Sequence, residues 1–270
     1  MYVLVFDIET VPDVQAGRRL YDLHSLSDAE VAEVMFNKRR QDSGGEFLRP
    51  HLQRVVSIAL LLRNNNTCKL WSLGNPPPPE RELVQRFFDG IDKYTPTLVS
   101  WNGGGFDLPV LHYRALLHGV RMSRYWEIGD TESAFRWNNY LNRFHWRHID
   151  LMDVLSGYQL RAVAPLDEIA VLLDLPGKQG SHGSQVWERF QVGDIEGICN
   201  YCETDVLNTY LVYLRFELMR GRLPEADYWE ECRLLKTRLQ AESKPHLDEF
   251  LSAWKVAAPA EEPTLVEIKE

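Results

Sequence analysis

No hydrophobic run in this chain approaches the roughly 20 residues needed to cross a bilayer, and the start Met1-Tyr2-Val3 lacks the basic leader of a secretory signal. Cysteine is scarce, and the four thiols have no disulfide-like spacing, which fits a reducing, cytoplasmic setting with no membrane partner. Cys199 and Cys202 spell Cys-x-x-Cys, but no second thiol pair or nearby histidine completes a zinc set. They read as reduced helix residues. Positive charge is short as well: 30 Lys and Arg stand against 39 Asp and Glu, a net charge of −9. That balance argues against a broad electrostatic grip on duplex nucleic acid, while bound metal ions would offset part of the acid and leave a short strand acceptable. The Gly-x-Gly-x-x-Gly and P-loop patterns are also missing. What is present is enough apolar residue, 44% of 270, to bury one large α/β core with additions.

The most informative stretch is the run Tyr2-Val3-Leu4-Val5-Phe6 followed by Asp7-Ile8-Glu9. β-branched and aromatic residues at this density read as a buried strand, and positions i and i+2 of a strand share a face. Asp7 and Glu9 therefore present two carboxylates side by side. Like charges that close repel unless a cation lies between them, so half of a metal site is one reading; a strand simply ending in polar residues before Pro12 is the other. A second run, Leu98 to Trp101, enters Asn102-Gly103-Gly104-Gly105-Phe106-Asp107, with a helix starting at once. Asp107 is either a ligand or an ordinary helix N-cap. In a third stretch Tyr201 and Asp205 are four apart in a helical segment, hence one above the other on a single face.

Taken in order, Asp-x-Glu, Asn-x-x-x-Phe-Asp and Tyr-x-x-x-Asp resemble the three motifs of the DEDDy-class 3′–5′ exonucleases. The spelling Trp101-Asn102-Gly103-Gly104-Gly105-Phe106-Asp107 is similar to that of the proofreading domains of family B DNA polymerases. More narrowly, the chain resembles a bacterial group of stand-alone predicted exonucleases related to those domains. In a sister class a histidine five residues before the last acid replaces the tyrosine, and here that position is Asn200.

The resemblance implies that Asp7, Glu9, Asp107 and Asp205 hold two Mg²⁺ or Mn²⁺ ions. Asp7 would bridge them, Glu9 and Asp205 would serve the ion that activates water, and Asp107 would close the site through coordinated water. Hard oxygen ligands suit these ions, and two ions about 4 Å apart activate water and neutralise the leaving oxygen. Tyr201 would orient the attacking water. Thr10, Asn102, Phe106, Lys178 and Ser184 are the expected substrate contacts, with Lys178 and His182 on a glycine-rich loop, and Asp150 is a reserve candidate beside the ligands. The implied partner is a single strand with a free 3′ end, DNA ahead of RNA, released as 5′-mononucleotides. An exoribonuclease of the same chemistry, or a catalytically weak nucleic-acid-binding protein of this fold, are the alternatives.

Chain order supports the ribonuclease H-like fold that the resemblance implies: a mixed five-stranded sheet, strand 2 antiparallel, flanked by helices. Val55–Leu62 and Lys69–Leu73 read as a hairpin, Glu80–Tyr94 as a helix, and Thr97–Trp101 and Arg147–Ile149 as the last strands. The expected division is an exonuclease domain over 1–220, with insertions near 13–50 and 121–146, a helical extension over 221–256 and a flexible acidic tail over 257–270. No polymerase domain is expected to follow. In the first insertion, Ser27 and Glu30 form a capping box for a helix ending in Lys38-Arg39-Arg40. The second insertion interleaves aromatics with Arg124, Arg136 and Arg143, which reads equally as a base-stacking surface or as a small hydrophobic subdomain.

Overall fold

The computed structural model describes residues 2–65, 67–177 and 183–255; Lys178, His182 and the 257–270 tail lie outside them. In chain order the elements are β1 (Val3–Pro12), α1 (Val14–Tyr21), α2 (Asp28–Ser43), β2 (Gln53–Arg63), β3 (Cys68–Leu73), α3 (Glu80–Tyr94), β4 (Thr97–Ser100) and α4 (Asp107–His118). There follow β5 (His148–Asp150), α5 (Leu151–Leu155), α6 (Leu166–Leu172), α7 (Val186–Gln191), α8 (Ile195–Met219), α9 (Glu225–Glu242) and α10 (Pro245–Ala253). The sheet order is β3-β2-β1-β4-β5. β2 is antiparallel to both β1 and β3, while β4 and β5 run parallel to β1.

Alternation along β1 divides the interior in two. Leu4, Phe6 and Ile8 meet Leu83, Phe87 and Ile91 of α3 and Leu108 and Leu111 of α4 on one face. Val5 lies on the other, against Cys202, Val206 and Tyr210 of α8. α8 crosses that second face, and α9 and α10 pack behind it: Leu235, Leu239, Leu247, Phe250 and Trp254 belong to the same buried cluster. Arg63 of β2 ties α9 to the sheet by donating to Glu231 at 2.7 Å, and Tyr210 donates to the same carboxylate at 3.0 Å.

β1 does not stop where the apolar run stops. Its pairing with β4 covers Val3 to Val5, but pairing with β2 continues to Pro12, so Asp7 and Glu9 lie inside the strand rather than at its end. The register shifts between Glu9 and Thr10, where Ser57 and Val55 are the successive partners and Val56 is the extra residue of a bulge. Such a bulge bends the strand and re-aims the side chains beside it.

The two insertions resolve differently. The capping box is formed, with Glu30 N–H donating to Ser27 Oγ at 3.3 Å and Ser27 N–H donating to Glu30 at 2.7 Å. The basic end of α2 is occupied internally: Arg39 Nε donates to Phe47 O, Arg40 pairs with Glu46, and Lys38 lies over Tyr21. In the second insertion Tyr125, Phe135 and Tyr140 are buried with α3 and α4. Arg124 and Arg147 stack on Phe135, and Arg143 pairs with Asp153. Tyr125, Phe135 and Tyr140 thus form a small buried unit, while Trp126, Trp137, Phe144 and Trp146 stay exposed. His145 accepts from Asn139 N–H, and buried His148 meets Ser100 Oγ at 2.8 Å, so both serve the local structure. Among the described residues no helix is long and apolar enough to cross a membrane.

Candidate active site

Three elements deliver the acids. Extending the alternation of β1 places Asp7 and Glu9 on the α8 face with Val5. Donor atoms of Asp7, Glu9 and Cys202 all lie within 4.8 Å of one another. Tyr201 and Asp205 come from α8, one turn apart, both buried and joined by a side-chain hydrogen bond. The fourth acid crosses the sheet edge. Because β4 ends its pairing at Val5, the β1 edge beyond is open there, and Ile8 N–H donates to Asp107 Oδ1 at 3.1 Å.

Asp107 is thus not the cap of α4. The residue before the helix, Phe106, makes no side-chain cap, and Asp107 is the first helical residue, with its carboxylate turned to β1. The turn that sets this up is fixed from β5: Asn102 N–H and Gly104 N–H donate to the two oxygens of Asp150 at 2.9 and 2.8 Å. Asn102 is left-handed at φ 62°. A Cβ on Gly103 would stand 2.3 Å from Ser100 Oγ and 2.6 Å from Ser100 Cβ, so glycine is required there, and one on Gly105 would displace the Asn102 side chain. Asp150 therefore holds the loop that carries Asp107.

The electrostatics separate this cluster from ordinary buried acids. Burial, followed by the charges of Asp107, Glu9 and Asp205, holds the Asp7 carboxyl well above the usual carboxylate range. Asp107 is pushed up to about 7, by burial first, against the pull of its own and the Ile8 amides, and by the charges of Asp150 and Asp205. Burial and the same acids raise the Tyr201 phenol, which stays protonated and serves as a donor. Four carboxyl groups so arranged suit a hard divalent cation, which relieves their mutual repulsion.

Thr10 and Phe106, expected as substrate contacts, line one cleft with Glu9. Asn102 lies in the glycine-rich turn, its amide held by Asp150. Lys178 and the side chain of Ser184 lie outside the described residues. Sequence reasoning missed Cys202, whose Sγ is 3.4 Å from both Asp7 Oδ2 and Asp7 O. Its position, one residue after Tyr201 and one helical turn before Val206, carries no pattern that marks the contact.

A mixed five-stranded sheet of this order flanked by helices, with acids on β1, α4 and α8, is an α/β domain. The family of predicted 3′–5′ exonucleases related to the exonuclease domain of PolB matches residues 45–254, and the chain belongs to that family. The match takes in Asp107, Tyr201 and Asp205 and continues through α9 and α10, which the motif resemblance did not reach; β1 precedes it. Part of the chain is also similar to the catalytic subunit of DNA polymerase epsilon from Kluyveromyces lactis, 30% identical over 147 residues, which are 52% of this chain and 6% of that protein. Its counterpart from Saccharomyces cerevisiae is 27% identical over 145 residues, 51% of this chain and 6% of that protein. A 37-residue stretch, 14% of this chain, is 54% identical to 4% of DNA polymerase 1 of Sulfurisphaera ohwakuensis. The chain thus corresponds to a small part of the length of each of these polymerases.

Proposed function

We propose that this chain is a metal-dependent exonuclease of the DEDDy class that removes 5′-mononucleotides from the 3′ end of a single strand, with DNA as the favoured substrate. The observation that carries the reading is the convergence of Asp7, Glu9, Asp107 and Asp205 from three elements, so close that burial and the charges of the other three raise the first well above the usual carboxylate range. Those four residues would hold two Mg²⁺ or Mn²⁺ ions, which, when bound, acidify an attacking water and neutralise the leaving oxygen. Tyr201, its proton held toward Asp205, would hydrogen-bond to the attacking water through its hydroxyl oxygen and orient it. Asp150 keeps the Asn102–Gly104 turn in place and so fixes Asp107. The free thiols fit a reducing, cytoplasmic setting.

DNA is favoured because the similar stretches belong to proteins named as DNA polymerases. Matched DNA and RNA oligonucleotides, labelled at either end and supplied with Mg²⁺ or Mn²⁺, test the reading. Ladders that shorten from the 3′ end of single-stranded DNA are expected, with little action on blunt duplex. Shortening from the 5′ end, or cuts within a circular single strand, would sink it.

A further inference from the structure

Cys199 and Cys202 have the spacing of a zinc pair, but the chain nearby supplies no second thiol pair or histidine, and in the fold the two thiols face different partners. Cys199 Sγ accepts from Ser57 Oγ at 3.4 Å. Cys202 Sγ is turned to Asp7 instead, 3.4 Å from Oδ2 and from the main-chain oxygen. It is fully buried between α8 and β1, in the cluster that also holds Val5 and Val206. The ligands missing along the chain come from β1: donor atoms of Asp7, Glu9 and Cys202 all lie within 4.8 Å of one another. A thiol that only filled the core would have no reason to face two carboxylates.

Sulfur at about 2.3 Å and a carboxylate oxygen at about 2.1 Å from a tetrahedral zinc ion stand about 3.6 Å apart. Cys202 Sγ and Asp7 Oδ2 are already near that spacing, and the rest of the set closes with side-chain shifts of about 1 Å. Oxygen ligands alone suit Mg²⁺ and Mn²⁺, whereas sulfur among them favours a softer ion such as zinc or cadmium. We propose that Asp7, Glu9 and Cys202 form a three-ligand site for a thiophilic divalent cation of the zinc kind. Such an ion takes two of the carboxylates assigned to the catalytic ions, so the two loadings exclude each other. The metal displaces the thiol proton, which leaves to water. The consequence rests on the exonuclease reading and adds regulation to that site: the zinc-loaded chain is inactive until the ion is withdrawn.

The test titrates the metal-free, full-length protein with Cd²⁺, whose bonds to thiolate absorb in the ultraviolet, and then competes it with Zn²⁺ or Mg²⁺. Cd²⁺ should raise the thiolate band, which Zn²⁺ removes at matched concentration and Mg²⁺ does not. Cys202→Ser and Cys202→Val should lose the band, while Cys199→Ser keeps it. Asp7→Asn should weaken Cd²⁺ binding by about 100-fold, the upper end of what disturbing the surroundings of a metal ligand costs. A wild type without the band, a band that survives Cys202→Ser, or an Asp7→Asn variant that binds Cd²⁺ like the wild type overturns the site. If circular dichroism shows the Cys202 variants unfolded, Asp7→Asn still decides, because removing one of several crowded charges spares the fold. Degradation of a single-stranded oligonucleotide with Mg²⁺ separates the two readings. Shortening from the 3′ end without the band overturns the thiol site alone, and the band without shortening overturns the exonuclease reading and the regulation with it.

Discussion

Asp7, half-buried, lies within β1 and buried Asp13 directly after it, and the two carboxyls sit under opposite electrostatic regimes. Asp13 accepts from Ala16 N–H at 3.0 Å and pairs with Arg114 at 2.5 Å, and Arg114 also donates to Glu80 at 2.7 Å. Burial works against the charge on Asp13, but the Ala16 amide and the Arg114 guanidinium outweigh it and hold the carboxyl below its ordinary value. Asp7 has three acids as its electrostatic neighbours and is pushed the other way. α8 repeats the contrast two residues apart. Glu203 accepts from Ser72 at 2.7 Å, meets His246 at 2.9 Å and is lowered despite its burial, whereas Asp205 turns to the acid cluster. A buried acid given a cation by the chain holds the fold together. One surrounded by acids is left with uncompensated charge, which on the proposed exonuclease reading a divalent cation would neutralise.

The sharpest way to break the comparison is to remove one acid from each regime. Asp7→Asn should cut turnover by about 1,000-fold or more, the scale of losing several kcal/mol of metal-borne charge stabilisation. Its thermal midpoint in EDTA should be unchanged or higher, because one of several crowded charges is gone. Single-turnover degradation and a melting curve measure both. Retained activity with an unchanged midpoint would place Asp7 outside the machinery.

On the paired side, Arg114→Met should leave Asp13 and Glu80 buried without their cation and cost about 3–5 kcal/mol of stability by urea titration. A loss under about 1 kcal/mol, the scale of an exposed pair, would show that the network contributes little and that the contrast is only one of geometry.

Tyr201→Phe tests a smaller effect within the acid cluster. The ring keeps its packing with Val11, Val56 and Ile198, so only one hydrogen bond is removed. Turnover should fall by roughly 10- to 1,000-fold, the range for losing one well-placed donor, with little change in the metal concentration needed for half activity. Wild-type turnover would make Tyr201 a packing residue.

How much of this was legible depended on how local the signal was. The shared face of Asp7 and Glu9 and that of Tyr201 and Asp205 rest on spacing along the chain. Both pairs sit on the elements that spacing indicates, β1 and α8. The strand limits were read short because the apolar run ends at Phe6, while pairing of β1 with β2 carries on through polar residues to Pro12. Asp107 had the local signature of a cap, and only the amide of Ile8, 99 positions away, decides otherwise. The interleaved arginines and aromatics of the second insertion could not be resolved by pattern either, since stacking inward on Phe135 and stacking outward on a base use the same residues. Cys202 beside Asp7 and Phe47 beside Phe106 are likewise contacts between distant segments.

The finest prediction sharpens the comparison through pH. Asp107, held at about 7 in the fold, binds its proton more tightly than it does in the unfolded chain, where the ordinary value is 3.8. The metal-free fold therefore has the full benefit of this group below about pH 4 and loses it as pH rises through about 7. Asp13 has the opposite sign: its contribution is present above the ordinary carboxylate range and is lost as pH falls. Asp107→Asn keeps an oxygen for the Ile8 amide and removes the titration. In EDTA its melting temperature relative to wild type should be near zero or slightly lower at pH 4, then become positive and grow up to about pH 7 and level off above it, while Asp13→Asn should be destabilising from pH 8 down to about 4 and less so only below that. An Asp107→Asn difference that stays flat from pH 5 to 8 would mean that the carboxyl ionises as easily in the fold as out of it. The two regimes on this strand would then be the same.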